Sequence, residues 1–191
     1  MAELLIDKKN YLSSGIHIGM KSKNKDMRRF IYKIREDGLA ILNLKLIDDR
    51  IRIAGEMLSR ANTILVVGRK SNVHEALKKF AETVDNAYAI TGRFMPGTLT
   101  NPRYENFIEP DVVVISDPQS DYQALKEAVE SRIPIIALCD TFNEAKNVDL
   151  IIPCNNKSKK SLGLIFWLLA KIINEKRGKE FKAKIEEFGS E

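Results

Sequence analysis

The sequence predicts an α/β protein in which five parallel strands form a sheet under helices. Three observations carry this expectation. Five short, uniformly apolar runs at 63–67, 87–90, 111–116, 134–138 and 150–152 read as strands buried on both faces. Amphipathic patterns of helical period separate most of them. Each run closes on turn chemistry: Gly68, Thr91-Gly92, Asp117-Pro118, Asp140-Thr141 and Asn155-Asn156. Strand and helix alternating in this way build a doubly wound sheet.

The elements follow in order. Residues 7–14 predict a short helix ended by Gly15. From Arg29 to Arg35 basic and apolar residues alternate, the period of a half-exposed strand. Asp37-Gly38 then signals a hairpin turn before Leu39–Leu42. Between Leu44 and Arg60 the apolar positions Leu46, Ile47, Ile51, Ile53, Ala54, Met57 and Leu58 keep helical spacing. Helices are expected over 71–84, with Ser71 as cap, and over 120–131. Another is expected over 160–176, with Leu162, Ile165, Phe166, Leu169 and Ile173 on one face. A loop of about twenty residues containing Gly92-Arg-Phe-Met-Pro-Gly-Thr-Leu-Thr-Asn-Pro102 stands where a crossover helix belongs, against a usual median of about five. It is polar and glycine-rich, so it is expected to be mobile.

At 191 residues, with 44% hydrophobic and 30% charged residues, the chain has the length and composition of one globular domain. That domain is expected to span 1–177, with an N-terminal arm and hairpin at about 15–43 and a charged, flexible tail over 178–191. The apolar run Leu162–Ala170 is about half a membrane span, and the start MAELLIDKK is too short for a signal peptide. A cytoplasmic protein with no membrane partner is expected. Cys139 and Cys154 lie in strand-like runs without a CxxC, which predicts buried, reduced thiols and no metal.

Catalytic constellations are weak. No GxGxxG and no GxxxxGK[ST] follow any strand, so no nucleotide cofactor is expected. The two histidines lie in different elements: His74 reads as a boundary residue, and His17 as one that hydrogen-bonds a buried turn between Gly15 and Gly19. Asp117 and Asp140 end strands as catalytic carboxylates do, and equally as caps.

Cations are the stronger signal. The net charge is +5 and the pI about 9.1. From Lys21 to Arg35 seven cations (Lys21, Lys23, Lys25, Arg28, Arg29, Lys33 and Arg35) face one acid, Asp26. Phe30 and Tyr32 are interleaved with them. Lys157, Lys159 and Lys160 open the last helix, and Arg69, Lys70, Arg93 and Arg103 stand on strand-end loops. Single-signed basic loops with aromatic neighbours fit a phosphate backbone, RNA or DNA.

Several segments also resemble one family. Tyr11-Leu-Ser-Ser-Gly-Ile-His-Ile-Gly19, Ile90–Pro102, Pro110–Pro118 with Glu127–Glu130 and Ile133–Asp140, and Asn147–Pro153 with Asn155-Asn156 resemble, in order, the motifs of the small-subunit ribosomal protein S2 family. Bacterial members carry a long helical hairpin where Leu44–Arg60 here leads straight to a strand. Eukaryotic, laminin-receptor-type members continue into an acidic tail not found before Glu191. Arg93–Gly97 and Lys25-Asp-Met27 look archaeal.

The resemblance implies a flavodoxin-like doubly wound five-stranded parallel sheet with helices on both faces, plus the N-terminal helix and basic hairpin. It implies a non-enzymatic constituent of the small subunit at the head–body junction, contacting small-subunit rRNA and neighbouring ribosomal proteins, with no cofactor and no small-molecule substrate. Gly15, His17, Gly19, Gly92, Phe94, Pro96, Gly97, Thr98, Asn101 and Pro102 become structural motif positions. A flavodoxin-like enzyme for a phosphorylated small molecule, or a protein-binding module outside the ribosome, are the alternatives.

Overall fold

Asp7 accepts a hydrogen bond from the amide of Lys9 and opens helix α1 (Lys8–Ser14), which Gly15 ends in the left-handed conformation at φ +69°. The computed structural model describes residues 4–189. An extended arm follows α1 and makes one 3₁₀ turn at Arg28–Phe30. Strands β1 (Ile31–Ile34) and β2 (Ala40–Leu42) then form the expected antiparallel hairpin, turning at Gly38. Arm residue Ile18 bridges to Ile41 on β2.

Helix α2 (Leu44–Arg60), capped by Asn43, buries Ile47, Ile51, Ala54 and Leu58. Two of its positions differ from the periodic pattern. Ile53 faces solvent at 49% exposure, while Asp48 is buried in its stead. Asp48 is tolerated there because Tyr11 Oη donates to it at 2.6 Å and Arg52 Nε at 2.9 Å.

The sheet contains β3 (Ile64–Gly68), β4 (Ala87–Thr91), β5 (Val112–Ile115), β6 (Ile135–Cys139) and β7 (Leu150–Pro153), all parallel in the order β4-β3-β5-β6-β7. Strand β4 is an edge and only half-buried, unlike the four fully buried strands. Helix α3 (His74–Thr83) connects β3 to β4, and α4 (Tyr122–Glu130) connects β5 to β6. These crossovers run toward opposite edges of the sheet, so right-handed connections place them on opposite faces, the doubly wound arrangement. Helix α5 (Lys159–Lys176) packs against α2 and α3, with Phe166 edge-to-face on Phe80 at 5.7 Å. Ser71 does not cap α3: it begins a 3₁₀ turn, Ser71–Val73, and its side chain makes no cap bond. Cys139 and Cys154 are buried and free. No helix among the described residues is long and apolar enough to cross a membrane.

After α5 the chain was expected to fray. Residues 179–189 instead lie along α3 and α5 and end in a 3₁₀ turn, Ile185–Phe188. Phe188 is fully buried, Phe181 meets Trp167 at 5.9 Å, and Trp167 Nε1 donates to the carbonyl of Ala183 at 2.8 Å.

Candidate RNA-binding surface

All five strands end at one edge of the sheet, so their carboxyl-end loops share one surface. Its centre is a buried polar chain. Lys70, after β3, pairs with Asp117 after β5. Asn143 Nδ2 donates to Asp117 Oδ1 at 2.9 Å, and Asn156 Nδ2 donates to Asn143 Oδ1 at 3.0 Å. Ser120 Oγ adds a bond to Asp117 Oδ2 at 2.8 Å. Burial alone pushes the Asp117 carboxyl up; bonds from Lys70 and Ser120 more than reverse this and hold it below its usual value. Neighbouring Asp121 accepts from the Arg69 amide and the Ser116 hydroxyl, yet burial keeps its carboxyl raised. Burial likewise raises Asp140, whose Oδ1 accepts from the Thr141 amide while Oδ2 is enclosed without a partner. Asp117 is therefore a hub joining three strand ends, more than the local cap that its position suggested. Asp121, which sequence reasoning passed over, ties β3 to β5.

The basic arm is seated on this edge. Thr141 Oγ1 accepts from the Met20 amide at 2.9 Å and donates to the Ser22 carbonyl at 3.1 Å, and the Asn24 amide donates to the Thr141 carbonyl at 2.7 Å. The Asn155 amide and side chain donate to the carbonyls of Ile16 and Gly15. Gly19 is required by this fit, since a Cβ there would collide with Thr141 Cγ2 and lie 3.1 Å from the Ala40 carbonyl oxygen. Asp26, the arm's single acid, accepts from the Ala145 amide and so fastens the arm to the β6–β7 loop. His17 differs from expectation: its carbonyl accepts from the Leu42 amide at 2.8 Å, but its Nδ1 is enclosed without a hydrogen bond. Burial holds the imidazole pKa below its usual value.

The predicted cations divide on this scaffold. Lys70 is half-buried and committed to Asp117, and Lys159 pairs with Glu75 at 2.7 Å. Lys21, Lys23, Lys25, Arg28, Arg29, Lys33, Arg69, Arg93, Arg103, Lys157 and Lys160 are exposed, with no carboxylate within 4.0 Å among the described residues. The Arg29 guanidinium lies 4.8 Å from the centre of the Phe30 ring, and Lys157 Nζ 4.7 Å from that of Phe142. Lys25 and Arg29 share one shallow depression with Lys146, a cation that sequence reasoning did not single out. Arg69 and Arg93 meet at a pocket of about 150 Å³ beside Phe94 and Ser120. Asn155 Oδ1 already accepts from the amides of Lys157 and Ser158, so those two are not free for a phosphate.

The long loop is fastened, contrary to the expectation of mobility. Glu127 on α4 accepts from the Gly97 amide at 2.8 Å and the Leu99 amide at 3.1 Å. Ser131 Oγ donates to the Leu99 carbonyl at 3.1 Å. Phe94, Thr98 and Leu99 are buried, while Pro96 and Pro102 are exposed. Gly92 and Gly97 hold φ of +95° and +96°, which side-chain-bearing residues resist. The Asn101 side chain accepts from the Arg103 amide and aims that loop. The sequence signal for this anchor was a glutamate among the apolar positions Ala124, Leu125 and Ala128 of α4.

A family model described as ribosomal protein S2 matches residues 11–106 and 104–176, which include the arm, the loop and every strand of the sheet. The chain belongs to the ribosomal protein S2 family. It is also similar to the small ribosomal subunit protein uS2 of the archaeon Haloquadratum walsbyi, with 46% identity over 192 residues covering 100% of this chain and 68% of that protein.

Proposed function

We propose that the chain is a structural component of the small ribosomal subunit that binds rRNA through its basic arm and strand-end loops. It sits at the junction of head and body, beside neighbouring ribosomal proteins in the cytoplasm. The observation that carries this reading is the set of exposed cations with no carboxylate within 4.0 Å among the described residues, on a backbone that is already hydrogen-bonded in place. Hydrogen bonds to Thr141 and Asn155 hold the arm in place, so little ordering cost opposes phosphate binding. The reading assigns contact roles to Lys21, Lys23, Lys25, Arg28, Arg29 and Lys33 on the arm and hairpin. On the strand-end loops it assigns them to Arg69, Arg93, Arg103, Lys157 and Lys160. A structural role fits the strand-end crevice, where Lys70, Asp117, Asn143 and Asn156 occupy the place that a doubly wound fold gives a small ligand.

A salt titration of binding to small-subunit rRNA tests this. If about five arm cations meet phosphates, log affinity falls against log salt with a slope of about −4. Replacing Arg28 and Arg29 with Gln flattens that slope by about one or two. A slope near zero removes the arm as an RNA contact.

A further inference from the structure

Between α1, the arm and the β1–β2 hairpin lies an open groove of about 890 Å³. Leu4, Leu12, Ile18, Ile41 and Leu44 give it an aliphatic floor, and Tyr32 stands at its side. Leu12 is 44% and Tyr32 70% exposed, which is unusual for large apolar side chains grouped at one place. Lys8, Lys33, Arg35 and Lys45 rim the groove, and among the described residues no acid lines it. Of these four, Arg35 has an acid within reach, Asp37 at 3.7 Å, and both of those side chains are about half exposed.

We propose that this groove docks an acidic amphipathic segment of a neighbouring protein. Its aliphatic side chains would cover Leu12 and Ile18, and its carboxylates would face Lys8 and Lys45. Charge complementarity selects the sign of the partner, and the floor selects its class. A phosphate backbone satisfies the rim but leaves the leucines and isoleucines in water, because nucleotides cover protein chiefly by stacking on aromatic faces. A peptide with alternating apolar and acidic faces satisfies both. The proposal rests on the chain being an assembled subunit component, and it adds to that reading a protein partner at a surface separate from the strand-end edge.

The test uses small subunits assembled with a chain in which Leu12 is replaced by the photo-crosslinking residue p-benzoylphenylalanine. Leu12 is exposed, so folding is preserved, and sedimentation with the subunit checks assembly separately. The expected result is a cross-link to a ribosomal protein, with the linked peptide identified by mass spectrometry as rich in Asp and Glu. Adding Lys8→Glu and Lys45→Glu, two rim cations with no part in the proposed RNA contact, should lower the yield by about fivefold or more, as expected for reversed rim charges. A cross-link to rRNA, a non-acidic linked peptide, or no cross-link despite normal sedimentation overturns the proposal. Failure of the chain to sediment with subunits instead overturns the reading on which it rests.

Discussion

Glu127 carries more of the structure than its residue type suggests. One carboxylate holds two backbone amides of the 92–102 loop, and it is itself buried. Glu127→Ala leaves those amides without their acceptor and is expected to cost about 2–3 kcal/mol, by analogy with other hydrogen bonds to charged groups. Urea unfolding measures the loss, and hydrogen exchange should accelerate at Gly97 and Leu99 first. Neither Glu127 nor Asp48 was legible as buried, because an acid within a helical pattern ordinarily marks its solvated face. His17 makes a pH-dependent prediction. Its pKa is lowered in the folded state, so protons bind the unfolded chain more readily. Stability from this source is intact above about pH 7 and declines as pH falls below about 6.5. His17→Gln should therefore narrow the difference in melting temperature between about pH 7.5 and 5.5. An unchanged difference would assign the titration to another group.

Elements differ in how plainly the sequence announced them. The buried strands were legible because continuous apolar runs have few other homes, and the arm because its cations are so unevenly signed. The position of the long loop was also legible, but its anchoring was not, since the anchor lies on α4 about thirty residues away. The segment after α5 was misread because its charges dominate its composition. Phe181, Ile185 and Phe188 nevertheless place three large apolar side chains within eight residues, more than a solvated tail carries. Phe188→Ala should cost about 3–4 kcal/mol in a urea titration, the usual loss for a buried phenylalanine. A frayed segment would lose almost nothing.

Across the whole molecule, one contiguous core runs from Tyr11 on α1 to Phe188 near the described end. The proposed single domain over 1–177 should therefore unfold in one transition, with the arm included. Calorimetry checks this: equal calorimetric and van't Hoff enthalpies are expected, and a separate low-temperature step would detach the arm. The shared strand-end edge was legible from topology alone. Which cations stay free there was not, because Lys70 and Lys159 are claimed by acids distant in sequence. The arm's seat has a further consequence, in time. Thr141 holds Met20 across 121 residues, and Asn155 holds Gly15 across 140. At about 5–20 residues per second, a ribosome needs roughly 6 to 24 s to extend the chain from Met20 to Thr141. During that interval the most cationic stretch of the nascent chain is outside while its dock is still unmade. The stretch proposed to grip RNA is thus made before its dock, in a cell full of RNA, and gains its seat only when the last two strands arrive.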